Sequence, residues 1–385
     1  MGDVLNILLL QNTLRTATPV VLAALGCLMT QHVNITNIGI EGMMLTGAFF
    51  AVLGSYFAGS WVAGVACALL VGLLLGLFYY VFVIKFKSDE FIIGVALNIF
   101  AGGLTVFLLR NIFDVKGSFS DPAIVPLPTI EIPLIKDIPV IGPLLSGNTL
   151  LVYVSWLLVP VCWAFIYKTP MGFHLRASGE YPDALTAAGK SPERMKCLAS
   201  VLCGLLSALA GAHLSLGYLT MFSENMSASR GYVAFACVIF GRGNPPKVFL
   251  AALLFGFIEA LGLRMQKYMP SDLTAMGVVA LRIISSHFIL AAIGITLSTV
   301  FQAIGKGFYS LLMSLCRQLI VLLPAAWILS QLGGVNAVWW CFPVAEAVSL
   351  ALCLALFRKV DVRMLRPLGL SLIHISEPTR QAEIS

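Results

Sequence analysis

From Trp61 to Ile84 the chain carries no charged side chain, and the same holds from Phe91 to Leu109 and from Leu150 to Tyr167. A helical run of about 18 or more apolar residues matches the hydrocarbon thickness of a bilayer. In lipid every backbone N–H and C=O must be satisfied within the protein, so only helices and closed barrels span it. A barrel is written as short alternating strands, and these runs do not alternate. The expected fold class is therefore all-α, a polytopic α-helical integral membrane protein that meets the lipid bilayer along most of its surface. Composition agrees, with 59% hydrophobic and 11% charged residues and a mean hydropathy of +0.94, where a soluble domain carries about a quarter charged residues.

The net charge of +6 does not point to nucleic acid, because excess Lys and Arg in such proteins marks cytoplasmic loops. The cysteines at 27, 67, 162, 197, 203, 237, 316, 341 and 353 form no CxxC pair or metal-ligand spacing and read as small buried apolar residues. His32, His174, His213, His287 and His374 make no metal or nucleophile pattern with nearby acids, which argues against a membrane enzyme. The start MGDVLNILLL lacks a basic n-region and a clear small-residue cleavage site, so the first helix is expected to act as its own insertion signal.

Taken in order, Leu5–Met29 is one imperfect span or a short interfacial helix followed by a span. In residues 34–57, Asn34, Asn37 and Glu41 stand at i, i+3 and i+7, a spacing that predicts one helix face. An acid near the bilayer centre costs roughly 3 kcal/mol and usually faces a bundle interior or cavity; alternatively Glu41 caps or solvates the helix start near an interface. Gly39, Gly42 and Gly47 would allow close helix approach. Trp61–Phe86 and Phe91–Leu109 are spans, the second containing Asn98. Asn111–Asn148 is rich in proline and is expected to form a long external loop, with short strands or re-entrant turns. Spans follow at Leu150–Tyr167, Cys197–Leu219 and Val248–Leu263. Between the last two, the apolar core Tyr232–Phe240 is short for a crossing at about 1.5 Å per residue. It reads as a broken or re-entrant helix with Glu224, Asn225 and Arg230 at its mouth, or as an ordinary span with longer ends.

The longest polar interruption is Met171–Lys196. With Lys168 it carries Arg176, Lys190, Arg194 and Lys196, while Lys116 and Lys136 in the Pro-rich loop are outnumbered by Asp114, Asp121, Glu131 and Asp137. Lys85 and Lys87 fall on the same side as Met171–Lys196, which is therefore cytoplasmic, and the Pro-rich loop is external. The tripeptide Gly189–Ser191 is not a phosphate-binding loop: that motif needs a glycine five residues earlier, where Ala184 stands, and a preceding strand. Helix-favouring ALTAA and ERMK, broken by Pro182, Gly189 and Pro192, suit short cytoplasmic helices that engage a soluble partner. By polarity alone, Asn37, Glu41, Asn98, Glu224 and Asn225 are candidates for a solute path.

The stretch GFHLRASGEYPDALTAAGKSPERMK resembles the cytoplasmic coupling region of ATP-binding-cassette (ABC) importer permeases for simple sugars and nucleosides. Asp183, Ala184 and Gly189 fall where that motif places Glu, Ala and Gly; Asp replaces Glu, Leu185 replaces the second Ala, and the downstream Leu-Pro is absent. LRTATPVVLAALG, NIGIEGMMLTGAF and SLGYLTMFSENMSASRGYVAFACVIFGRGNP are similar to further regions of the same family, in its order, as far as about Ala275. The resemblance implies a subunit that does no chemistry. Cytoplasmic ATPase subunits using ATP-Mg would push on Glu180, Asp183, Ala184 and Gly189, a second permease chain would complete the pathway, and an external solute-binding protein would deliver a nucleoside or simple sugar. A bacterial-type plasma (inner) membrane location follows from the same resemblance.

Residues 280–359, with VFQAIGKG, RQLIVLLPAAW and VWWCFPVAE, instead resemble the C-terminal end of multidrug and toxin extrusion antiporters and would supply about three spans. A cation-coupled antiporter is the alternative function, carried by that segment alone. Its charges Arg317 and Glu346 are expected to have lipid-edge or packing roles and no transport function. Leu370–Arg380, LSLIHISEPTR, resembles a translated sequencing adapter. The expected division is thus a C-terminally truncated permease domain over 1–275, an antiporter-like fragment over 276–366 and a non-native tail over 367–385.

Overall fold

The computed structural model describes residues 7–131, 146–268, 272–303, 309, 312–313 and 315–360. Lys136, Asp137, the VFQAIGKG stretch beyond Ala303 and the adapter-like tail lie outside the described residues. Two compact units divide at Lys267 and Tyr268.

In the first unit, α1 (Ile7–His32) is one helix, which settles the opening segment as a single span. Pro19 lies inside it, and the Arg15 carbonyl that loses its helical donor there is met by His213 Nε2 at 3.4 Å. Thr13, Thr16 and Thr18 return their hydroxyls to carbonyls three or four residues back, and Thr16 also reaches Gly256 O at 2.9 Å. Next come α2 (Ile40–Ala58), α3 (Trp61–Tyr80, continued by a π turn to Lys85) and α4 (Glu90–Phe113). Ser60 caps α3 and Asp89 caps α4, each accepting from backbone N–H groups of the first turn. After α5 (Leu150–Lys168) come two short helices, α6 (Pro170–Glu180) and α7 (Pro182–Ala187), then α8 (Pro192–Ala212), which runs on as a π turn to Tyr218. The unit closes with α9 (Arg230–Phe240) and α10 (Pro245–Tyr268).

Seven of its helices are long and apolar enough to cross a membrane, and α9 is a shorter apolar helix, matching the expectation of about eight segments. The core lies where α1, α2, α3 and α8 pack together. Small residues make this contact close: a methyl group at Gly72 would fall 2.5 Å from Gly204 O, and one at Gly47 2.5 Å from Ala208 Cα. Gly39 and Gly42 likewise press on Leu97, Asn98 and Ala101 of α4, as their spacing suggested. Toward lipid the helices present large side chains, among them Leu70, Leu74, Phe91, Ile92, Ile99 and Leu157.

Two strand pairs sit at the end away from α6 and α7. β1 (Ser118–Phe119) pairs antiparallel with β4 (Phe222–Ser223), and β2 (Thr129–Ile130) with β3 (Asn148–Thr149). β1, β2 and the start of β3 are the short strands anticipated for the Pro-rich loop, while β4 comes from the segment before α9. Ser55 Oγ donates to Val125 O and accepts from Val125 N, and Arg15 Nη2 donates to Gly147 O at 2.9 Å, tying the loop to α1 and α2.

The second unit holds α11 (Asp272–Ser285), α12 (Phe288–Ala303), a π-helical stretch Cys316–Leu322 leading into α13 (Leu323–Val338), and α14 (Cys341–Val360). Two long apolar helices and one pair bent by 51° account for the three spans expected here. Phe301, Met313 and Cys353 form its small core, and Arg317 bonds Glu346 at 3.2 Å.

Candidate functional site

One expectation is corrected. Asn34, Asn37 and Glu41 do not share a helix face, because α2 begins only at Ile40. Asn34 adopts φ 56°, and Asn37 Oδ1 accepts from Gly39 N at 2.9 Å. That local side-chain bond competes with the helical ladder, as Asn side chains commonly do. Residues 33–39 therefore form a non-helical strap. Thr36 N donates to Glu90 Oε2 at 3.0 Å, Tyr79 Oη donates to Thr36 O at 3.1 Å, and Asn37 Nδ2 reaches Cys203 Sγ at 3.3 Å. Asn37 is fully buried and braces the strap.

Glu41, in the first turn of α2, serves another helix. Its Oε1 accepts from Ser229 N at 2.9 Å and its Oε2 from Gly231 N at 2.7 Å, so the carboxylate satisfies free donors at the start of α9. An anion is favoured there by the helix dipole. Gly231 is required by this contact, since a methyl group would fall 2.7 Å from Glu41 Cα. Asn98 joins the same place: it accepts from Gly42 N at 2.7 Å and donates to Ile38 O at 3.1 Å and to Tyr232 Oη at 3.0 Å. At about 1.5 Å per residue, Asn98 lies about 12 Å along α4 from Glu90, well inside the apolar zone.

The chain before α9 is not helical. Asn225, Ala228 and Ser229 take φ values of 57°, 47° and 65°, and Arg230 holds the turn by donating to Met226 O and Ser227 O and pairing with Glu259 of α10. At the outer end Glu224 N donates to Gly117 O at 2.8 Å, and its carboxylate accepts from Gly117 N and lies 3.6 Å from Arg110. The segment between α8 and α10 is thus a broken span: an irregular outer half and a helical inner half. Irregular backbone at membrane depth is tolerated where it faces a cavity or protein. Its accessible face gathers Tyr232 (45% exposed), Ser229 and Asn225 beside the partly exposed Glu41 and Asn98. This is a hydrogen-bonding surface with an aromatic face, suited to binding rather than catalysis. Among the described residues no group of three His, Cys, Asp or Glu could hold a metal ion.

At the basic end, α6 and α7 form an elbow. Thr169 caps α6 by accepting from Gly172 N, and the Arg176 guanidinium stands 5.0 Å from the Tyr167 ring and 4.9 Å from the Phe173 ring. Glu180, Asp183, Ala184 and Gly189 are all exposed, and Leu185 is the buried anchor beneath them. Gly189 sits at φ 74° in the turn that closes α7, with a helix rather than a strand before it. Sequence reasoning gave neither Tyr232 nor Leu185 a role: Tyr232 was legible as the first residue of a short apolar core, and Leu185 as the departure from the second Ala of the coupling motif.

The family described as branched-chain amino acid transport system / permease component matches residues 9–286. The putative glucose ABC transporter permease protein TsgC13 of Haloferax volcanii is 33% identical over 67% of this chain and 78% of its own length. The guanosine ABC transporter permease protein NupQ of Bacillus subtilis is 30% identical over 68% and 84%. The nucleoside ABC transporter permease protein NupC of Lactococcus lactis is 28% identical over 66% and 81%. No solved structure matches the chain. With its apolar helical bundle and a family match across most of its length, this is a multi-pass plasma-membrane permease subunit of an ABC importer, and the chain belongs to the branched-chain amino acid transport system / permease component family.

Proposed function

We propose that this permease carries nucleosides or simple sugars. The observation that supports the reading is the polar surface of Asn98, Tyr232, Ser229 and Glu41 at membrane depth, with Asn225 and Glu224 above it. It offers donors, acceptors and a ring face, which suit a hydroxyl-bearing ring solute. Relatives named for guanosine, nucleosides and glucose agree. A second permease chain, identical or related, completes the pathway. ATPase subunits hydrolyse ATP-Mg and engage Glu180, Asp183, Ala184 and Gly189, and an external binding protein presents the solute. The test is reconstitution with cognate ATPase subunits and binding protein in vesicles. Uptake of labelled guanosine or glucose that requires ATP is expected. Uptake driven by an ion gradient without ATP overturns the reading in favour of the antiporter.

Residues 276–366 are proposed as an antiporter-like fragment joined to the permease, and 367–385 as non-native. The division of the compact units at Lys267 and Tyr268 supports a join in this region, while the family match runs on to 286, past residue 276. Amplification of genomic DNA across codons 260–385 tests it; one continuous product of this sequence overturns it.

A further inference from the structure

The strap of residues 33–39 lies between the elbow and the broken span. At one end the C-terminal turn of α6 rests directly on it: a methyl group at Gly179 would fall 2.5 Å from His32 O and 3.0 Å from Asn34 N. His32 itself bonds Gly243 O at 3.0 Å in the turn that follows α9, where Tyr167 Oη also donates at 3.4 Å. At the other end Glu41 holds the start of α9 through the N–H groups of Ser229 and Gly231. The short helix is therefore held at both ends by the residues that flank the strap, His32 at the end of α1 and Glu41 in the first turn of α2, and the elbow sits on the strap between them. In between, Tyr79, Glu90, Asn98 and Cys203 tie the strap to α3, α4 and α8, so it is braced by neighbouring helices rather than free to flex.

We infer that the strap passes displacement of the elbow to α9, with His32 and Glu41 as positioning residues that make the short helix follow it. The inference rests on the transport reading above. A segment braced along its length, whose flanking residues both bond one short helix, is the kind of element that carries coupling between two sites. Glu41 then acts by holding the helix that presents Tyr232 to the path. Neither residue needs to touch the solute.

The test uses the full transporter in vesicles and reads solute taken up per ATP hydrolysed. Glu41→Gln keeps the size but leaves one acceptor for two N–H donors. Losing one charge-assisted bond corresponds to a factor of about ten in an equilibrium ratio, so the uptake-to-hydrolysis ratio is expected to fall about tenfold. His32→Phe, at the far end of the same helix, is expected to lower the ratio as well. Because both grips are needed together, the double variant should be no worse than the poorer single one. His32→Phe carries the test if Glu41→Gln does not assemble. An unchanged ratio in the variants, or uptake and hydrolysis falling together, overturns the strap while leaving the transport reading intact. Absence of ATP-dependent uptake in the unaltered protein overturns the transport reading and the strap with it.

Discussion

At Asn98 a single amide meets three partners from three segments: Gly42 N, Ile38 O and Tyr232 Oη. Asn98→Leu preserves the volume and strands two backbone groups in a low-dielectric setting, where an orphaned polar group costs about 1–3 kcal/mol. We expect thermal unfolding in detergent at a clearly lower temperature. Leu185 gives a second case. It is 4% exposed beneath an otherwise exposed helix, and Leu185→Ala should cost about 2–3 kcal/mol of local stability. Faster proteolysis of the elbow measures it, with the bundle left folded. Polarity in the sequence picked out Asn98 and Glu41 but not their use. The i, i+3, i+7 spacing of Asn34, Asn37 and Glu41 suggested one helix, and the outcome turned on a bond from Gly39 N to the Asn37 side chain that no periodicity registers.

Among the elements, the long spans were legible because eighteen or more apolar residues admit few alternatives. Gly39, Gly42 and Gly47 were legible as contact residues, and all three lie against neighbouring helices. The broken span was visible only as a length deficit. What terminates its helix is a carboxylate contributed from some 190 positions earlier in the chain, which local reading does not reach. The α3–α8 contact makes the sharpest prediction at this scale. Gly204 packs on Gly72 and Gly76 backbone, where relief by a side-chain rotation is not available. Gly204→Val is expected to force the helices apart and cost about 3 kcal/mol, read as a lowered unfolding temperature. The same substitution at Gly102, which has open space around it, should leave that temperature nearly unchanged.

For the molecule as a whole, sidedness follows from charge. Lys85 bonds Glu193 at 2.5 Å at the basic end, the end that also carries the elbow, while both strand pairs lie at the other. Gly189→Cys should react with an impermeant maleimide only in inside-out vesicles, and Ser118→Cys only in intact cells. Reaction of both from one face would reverse or break the topology. The β1–β4 pair has a consequence for how the protein is made. Ser118 pairs with Ser223, so the outer cap joins residues roughly a hundred positions apart. At about 5–20 residues per second, the Pro-rich loop must wait about 5–20 s after its own synthesis before its partner strand exists. This strand pair thus closes only after α1 to α8 have been made, and until then the outer loop is held by its ties to Arg15 and Ser55.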